Sequence, residues 1–191
     1  MPTLFDAYTF GDKMTVKNRI VMPPITRTRA SEGDVLNELM ATYYGQRASA
    51  GLIVAEATAV APSSRGYALS PDIYTEAQRQ GWRLVTDEVH RMAARYFCKY
   101  FTSAEWRIRP WCQTVMPPWG VTEQRAEHSD VFAHGSDGRL RYMRAGAPRR
   151  LSTDEISSLV DTFSQAFVSA RQASFDGAEI HQATAIWSTS L

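Results

Sequence analysis

The chain has 191 residues, 44% hydrophobic and 11% aromatic, a globular composition long enough for one well-buried domain. Its 21 basic and 20 acidic residues are interspersed and leave a net charge of +1, which gives no electrostatic footprint for nucleic acid or an anionic membrane. No apolar run approaches about 18 residues. Met1-Pro2-Thr3-Leu4-Phe5-Asp6 lacks the basic-then-apolar pattern of a secretory leader, so the cytoplasm is the expected compartment. Cys98 and Cys112 form no CxxC pair and have no histidine at ligand spacing, which argues against zinc or a redox pair and for free thiols.

In chain order, Tyr8 to Val16 alternates around Gly11-Asp12 and predicts a short hairpin. Arg19-Ile20-Val21-Met22 is an apolar run closed by Pro23 and Pro24. Prolines cannot donate to a sheet ladder, so the strand stops there and presents Ile25, Thr26 and Arg27 as a loop at its C-terminal end. On pattern alone this is an ordinary turn. Leu36, Leu39, Met40, Tyr43 and Ala48 fall near helical spacing and predict an amphipathic helix ending before Gly51. Leu52 to Thr58 is the continuous apolar run that a parallel strand buried on both faces requires. Strand, helix, strand in this order is the signature of a parallel α/β sheet. A loop with Arg65-Gly66-Tyr67 follows, and a tyrosine there is by itself a half-buried packing residue. From Thr75 to about Ala94 a second helix is expected, burying Trp82, Val85, Val89, Met92 and Ala93. His90 reads as a surface or boundary residue rather than a ligand.

Asn18 to Arg27 resembles the opening strand of the old yellow enzyme family of flavin-dependent reductases, and Glu56-Ala57-Thr58 resembles the end of its second strand. The resemblance implies the N-terminal half of a (β/α)8 TIM barrel, an incomplete one, since a full barrel takes about 250 residues. It implies FMN as cofactor, with Pro24, Ile25 and Ala57 lining it and Thr26 hydrogen-bonding its reactive edge, and NAD(P)H as reductant. It also implies a small activated alkene or nitro compound as substrate, flanked by Tyr67.

The next strand should begin near Arg95, where the family carries a Gln-Leu-x-His-x-Gly-Arg motif. Residues 95–125 depart from that pattern. From Arg95 to Gln113 no alternation or helical face is sustained, and both cysteines lie between Cys98 and Trp119 with Trp106, Trp111 and Trp119. The segment reads as the family sequence translated out of frame. The junction of Cys98 and Lys99 must spell Gln or stop in the alternative frame, and the junction of Phe101 and Thr102 must spell His or Tyr. With third bases chosen freely, Arg95 to Val115 can encode the missing motif and its loop.

Register returns by Val131, and Val131 to Arg139 reads as a Gly/Ser/Asp-rich loop. Ser152-Thr153-Asp154-Glu155 has the spacing of a capping box. Behind it Ile156, Leu159, Val160, Phe163, Ala166, Phe167 and Ala170 share one helical face. Asp176-Gly177 then turns the chain into a fourth strand ending at His181. A histidine closing a strand is more often structural than catalytic. The resemblance makes His181 one of two donors to the substrate oxygen, but Thr184 and Ile186 stand where the family has its Asn and Tyr. A second frame slip over residues 182–191 would account for them. The flavin-holding Gln, the second donor and the proton donor are thus missing, and the phosphate site of such barrels lies after strands seven and eight. Three outcomes follow: an ene-reductase by descent, an inactive fragment, or a flavin-free half-barrel whose open edge binds a partner or a second copy.

Overall fold

In the computed structural model, residues 1–11, 13–101, 119–120, 123, 130–144 and 146–181 are described. The chain opens with an antiparallel hairpin, β1 (Tyr8–Phe10) and β2 (Met14–Val16), turned by Gly11 in the left-handed region. β3 (Val21–Met22) follows and stops at the two prolines, as a strand without donors must. Asn37 then caps α1 (Glu38–Gly45), its side-chain oxygen accepting the Met40 N–H at 3.1 Å. β4 (Leu52–Ala59) is buried along nearly its whole length, as its unbroken apolar run predicts. Gly51 leads into it because no side chain fits: a Cβ there would lie 2.1 Å from the Asn18 carbonyl oxygen.

α2 (Glu76–Arg91) starts at a capping box. The Thr75 hydroxyl accepts the Gln78 N–H at 3.2 Å, and Gln78 Oε1 accepts the Thr75 N–H at 2.9 Å. β5 (Arg95–Phe101) comes next, then a two-residue parallel pair of β6 (Trp119–Gly120) with β9 (Arg149–Arg150). Between these lies the hairpin of β7 (Asp130–His134) and β8 (Leu140–Arg144). α3 (Thr153–Gln172) leads into β10 (Gly177–Ile180).

Four strands make the main sheet in the order β10-β5-β4-β3, every neighbouring pair parallel. This is half the strand count of a (β/α)8 barrel, with strands and helices alternating along the chain as expected. The core lies between sheet and helices, with Trp82, Tyr44, Tyr96 and Tyr100 as its largest fully buried side chains and Phe175 packed among them. The Trp82 and Phe175 rings meet edge-on at 5.0 Å, and Tyr96 stacks on Phe175 at 4.9 Å.

Several expectations are corrected. Residues 95–101 do alternate: Tyr96, Cys98 and Tyr100 are buried, while Phe97, Lys99 and Phe101 face the other side. Period two is hidden because aromatics occupy both faces and Lys99 is neutralised across the ladder by Glu179 at 2.8 Å. Val131 to Arg139 is not simply a loop but most of a hairpin, turned at residues 135–139. Leu39, Met92 and Ala93 are exposed rather than core, because α1 rolls Leu39 outward and α2 ends at Arg91, before the other two. On α3 the buried residues are Ala166, Ser169 and Ala170; Ile156 and Val160 lie open, Val160 at 60%, because only the C-terminal half of that helix meets the core, and Phe167 is part exposed with its ring edge-on to Tyr100 at 4.9 Å. The expected slip at 182–191, and Cys112, Thr184 and Ile186, lie outside the described residues.

Candidate functional site

Loops at the C-terminal ends of β3 and β4 converge with the β7–β8 hairpin on a cavity of about 380 Å³. The described residues lining it are Thr26, Thr28, Tyr67, Phe132 and Tyr142. That end of a parallel α/β sheet is where side chains from successive strands can meet without disturbing the ladder. The volume is within the range of small-molecule sites. Thr26 follows directly on the prolines that stop β3, and Thr28 turns the chain back with a φ of 53°. The hairpin is fastened to the β4 loop where the Ala68 N–H donates to the Phe132 carbonyl at 3.0 Å. Val131 and Ala133 are buried with Tyr67 and Met143 against them, so the alternate residues Phe132 and, across the ladder, Tyr142 are free to face the cavity. Their rings lie 5.4 Å apart.

Of the residues singled out in the sequence, Thr26 and Tyr67 are brought together on this wall; Pro24, Ile25, Ala57 and His181 are not among the described residues lining it. Ile25 is 53% exposed, and Pro24 and Ala57 are half-buried. Ala57 sits where the β4–β5 register shifts, between Val54 and Ala57. His181 closes β10, its N–H donating to the Tyr100 carbonyl at 3.1 Å. The Phe101 ring stands between it and the cavity residue, 5.8 Å from His181 and 6.3 Å from Tyr67. Burial, and then the nearby Lys99 ammonium, hold the His181 imidazole below its ordinary pKa, so it is neutral at neutral pH. Burial, and then Tyr142, raise the Tyr67 phenol, which stays protonated.

Behind the wall lies a buried polar network. Arg27 binds Glu56 through its guanidinium, and its backbone N–H donates to Glu56 Oε2 at 3.2 Å. The Tyr44 hydroxyl donates to Glu56 Oε1 at 3.2 Å and accepts the Glu56 N–H at 2.9 Å. Burial alone would lower the Arg27 pKa, but Tyr44 and Glu56 outweigh it and raise it.

Sequence reasoning missed Thr28, Phe132 and Tyr142. The signal for Phe132 was the alternation of residues 131–134, masked by the Gly-Ser-Asp-Gly turn after it. Among the described residues no helix is long and apolar enough to cross a membrane.

The profile of the NADH:flavin oxidoreductase / NADH oxidase family matches residues 3–186. A 12-oxophytodienoate reductase 1 of Oryza sativa subsp. japonica is 36% identical over 181 residues, which are 94% of this chain and 44% of the relative. The structure of morphinone reductase superposes with a TM-score of 0.91 at 35% identity, covering 96% of this chain and 49% of that one. An old yellow enzyme homologue from Zymomonas mobilis superposes at 0.84 with 34% identity, over 94% of this chain and 48% of that one. The chain spans about half the length of these relatives. It belongs to the old yellow enzyme group of the NADH:flavin oxidoreductase / NADH oxidase family.

Proposed function

We propose that this chain is the N-terminal half of an FMN-dependent ene-reductase barrel. The observation that carries the reading is the meeting of Thr26 and Tyr67, from the ends of two neighbouring parallel strands, on one aromatic-walled cavity. Planar walls with two threonine hydroxyls suit a flat, polar-edged ring. Thr26 would bond that ring's edge, Pro24, Ile25 and Ala57 would line it, and Tyr67 would flank the substrate. When bound there, FMN would supply the hydride-transfer chemistry between NAD(P)H and an activated alkene.

The chain's own contribution is positional and electrostatic. By the family resemblance His181, held neutral, would donate one N–H to the carbonyl or nitro oxygen of the substrate and so withdraw charge developing there, provided the Phe101 ring beside it gives way. The Tyr67 phenol, protonated at neutral pH, offers an apolar ring face without a charge. With Thr184 and Ile186 in place of the family's Asn and Tyr, one donor and the proton source are absent from the sequence, and the flavin-holding Gln is missing as well, so weak flavin binding with little or no turnover is the expected behaviour of the 191-residue chain alone.

The test is to titrate the purified chain with FMN, then add NAD(P)H and a cyclic enone. A flavin absorption band that is lost in Thr26→Ala, with weak enone reduction, supports the reading. Protein that stays colourless at high FMN sinks it. Two further readings give different results: an inactive fragment aggregates without flavin, and a half-barrel closing on a second copy is a monodisperse, flavin-free dimer. The second of these is favoured by exposed Val21 and Ile180 at the two outer strands of the sheet. The out-of-frame reading of residues 95–125 and 182–191 is checked on the gene itself. Third bases that cannot spell Gln at the Cys98–Lys99 junction and His at the Phe101–Thr102 junction end it.

A further inference from the structure

Arg27 and Glu56 stand one residue away from positions the functional reading assigns to flavin. Thr26 precedes Arg27, and Ala57 follows Glu56. One carboxylate receives both the guanidinium and the backbone N–H of the same residue, which fixes the place of the chain at residue 27 and also its direction. Glu56 is in turn gripped from α1, where Tyr44 gives and takes a hydrogen bond. The guanidinium lies 3.7 Å from the centre of the Tyr43 ring and 4.4 Å from that of Tyr44, and Arg47 covers Tyr43 as well at 3.7 Å. Glu56 is fully buried and the Arg27 side chain is 14% exposed. An apolar pair of similar volume would stabilise such a place at least as well as an ion pair does. What apolar packing would not supply is direction, and direction is what two loops meeting a flat ring need.

Resting on the function proposed above, we infer that the Arg27–Glu56 pair is a strut that holds the Thr26 and Ala57 segments at one separation and so sets the affinity and the reduction potential of bound FMN. Both are positioning residues; neither lines the cavity among the described residues.

The experiment compares the wild-type chain, Arg27→Lys, and the double variant Arg27→Met with Glu56→Leu. Lysine keeps the charge but loses the planar fork, and the double variant removes the pair while leaving the core filled. In the FMN-free chain, amide exchange at Thr26 and Ala57 rises about tenfold in both variants, while exchange along α3 does not change. With FMN, the Kd rises about tenfold, and the midpoint potential moves by about 30 mV for each tenfold difference between the two oxidation states. The double variant keeps its melting temperature yet shows the same losses, which a purely stabilising pair would not give. Unchanged exchange, or a double variant with wild-type FMN affinity and potential, overturns the strut. If exchange responds as expected but the wild-type chain takes up no FMN, the function reading fails, and the flavin part of the inference with it, while the strut between the two segments stands.

Discussion

Asp72 carries a carboxyl into a place with no exposure at all. Its Oδ2 accepts the Tyr74 hydroxyl at 2.8 Å and faces Arg65 Nε at 3.1 Å, and its backbone carbonyl takes the Trp82 indole N–H at 3.0 Å. Burial pushes the carboxyl up to about 7, against Arg65 and Tyr74, which pull it down. The folded value therefore lies above the unfolded one. The stability this group contributes is full below its ordinary value of 3.8 and is lost as pH rises toward 7. The slope in that window is at most about 1.4 kcal/mol per pH unit. Asp72→Asn should thus gain in melting temperature relative to the wild type between pH 4 and 7 and hold a constant difference above pH 8. A difference that stays flat across the whole range would refute the assignment. None of this was legible in the sequence, because Asp72 follows a proline in what reads as an ordinary loop, and only the fold brings it under Trp82. Thr26 and Tyr67 were singled out only through the family resemblance, since on pattern alone one is an ordinary turn residue and the other a half-buried packing residue.

At the scale of elements, what could be read depended on how local the physics is. The box at Ser152 spans four residues, and it forms as the spacing says: the Glu155 N–H reaches the Ser152 hydroxyl at 3.3 Å, and Glu155 Oε2 accepts the Ser152 N–H at 2.9 Å. Ser152→Ala should cost about 1 kcal/mol of stability in chemical denaturation, with the loss confined to α3. A loss below about 0.3 kcal/mol would mean the first turn of α3 is held from elsewhere, as by Arg149 on Glu155 at 2.9 Å. The entry to β10 is held by contacts far apart in sequence, and none was foreseen. Asp176 accepts His90 Nε2 at 2.8 Å, Arg95 Nη1 at 2.6 Å and the Tyr96 N–H at 2.9 Å. Burial raises this carboxyl, but those three bonds outweigh it and leave it below the usual range. Its contribution is present above that range and is lost as pH falls, the reverse of Asp72. β5 shows the limit of pattern reading: its pleat is real, but aromatic residues on both faces give no contrast in hydropathy.

For the molecule as a whole, the alternation of β3, α1, β4 and α2 and of α3 with β10 was legible, because a β-α-β crossover favours one parallel arrangement, whereas β6 to β9 were not read as strands. What the sequence does not state is how the sheet's two outer strands are treated. Among the described residues, β3 and β10 each pair on one side only. Because every pairing is parallel, the free side of β10 has the polarity to receive the free side of β3 from a second copy. Two such contacts related by a twofold axis would close at eight strands. The apolar surface is placed for it: Val21 is exposed on β3, Ile180 is 43% exposed on β10, and on α3 Val160 lies open and Phe167 is part exposed. We expect the 191-residue chain to associate with rising concentration, reaching twice its 21.4 kDa mass in sedimentation velocity. Ile180→Lys places a charge on the edge and should keep the chain monomeric with little change in melting temperature, since the position is half open to water. A wild-type chain that stays monomeric at every concentration, or a lysine variant that associates just as readily, would show that this edge is not the contact.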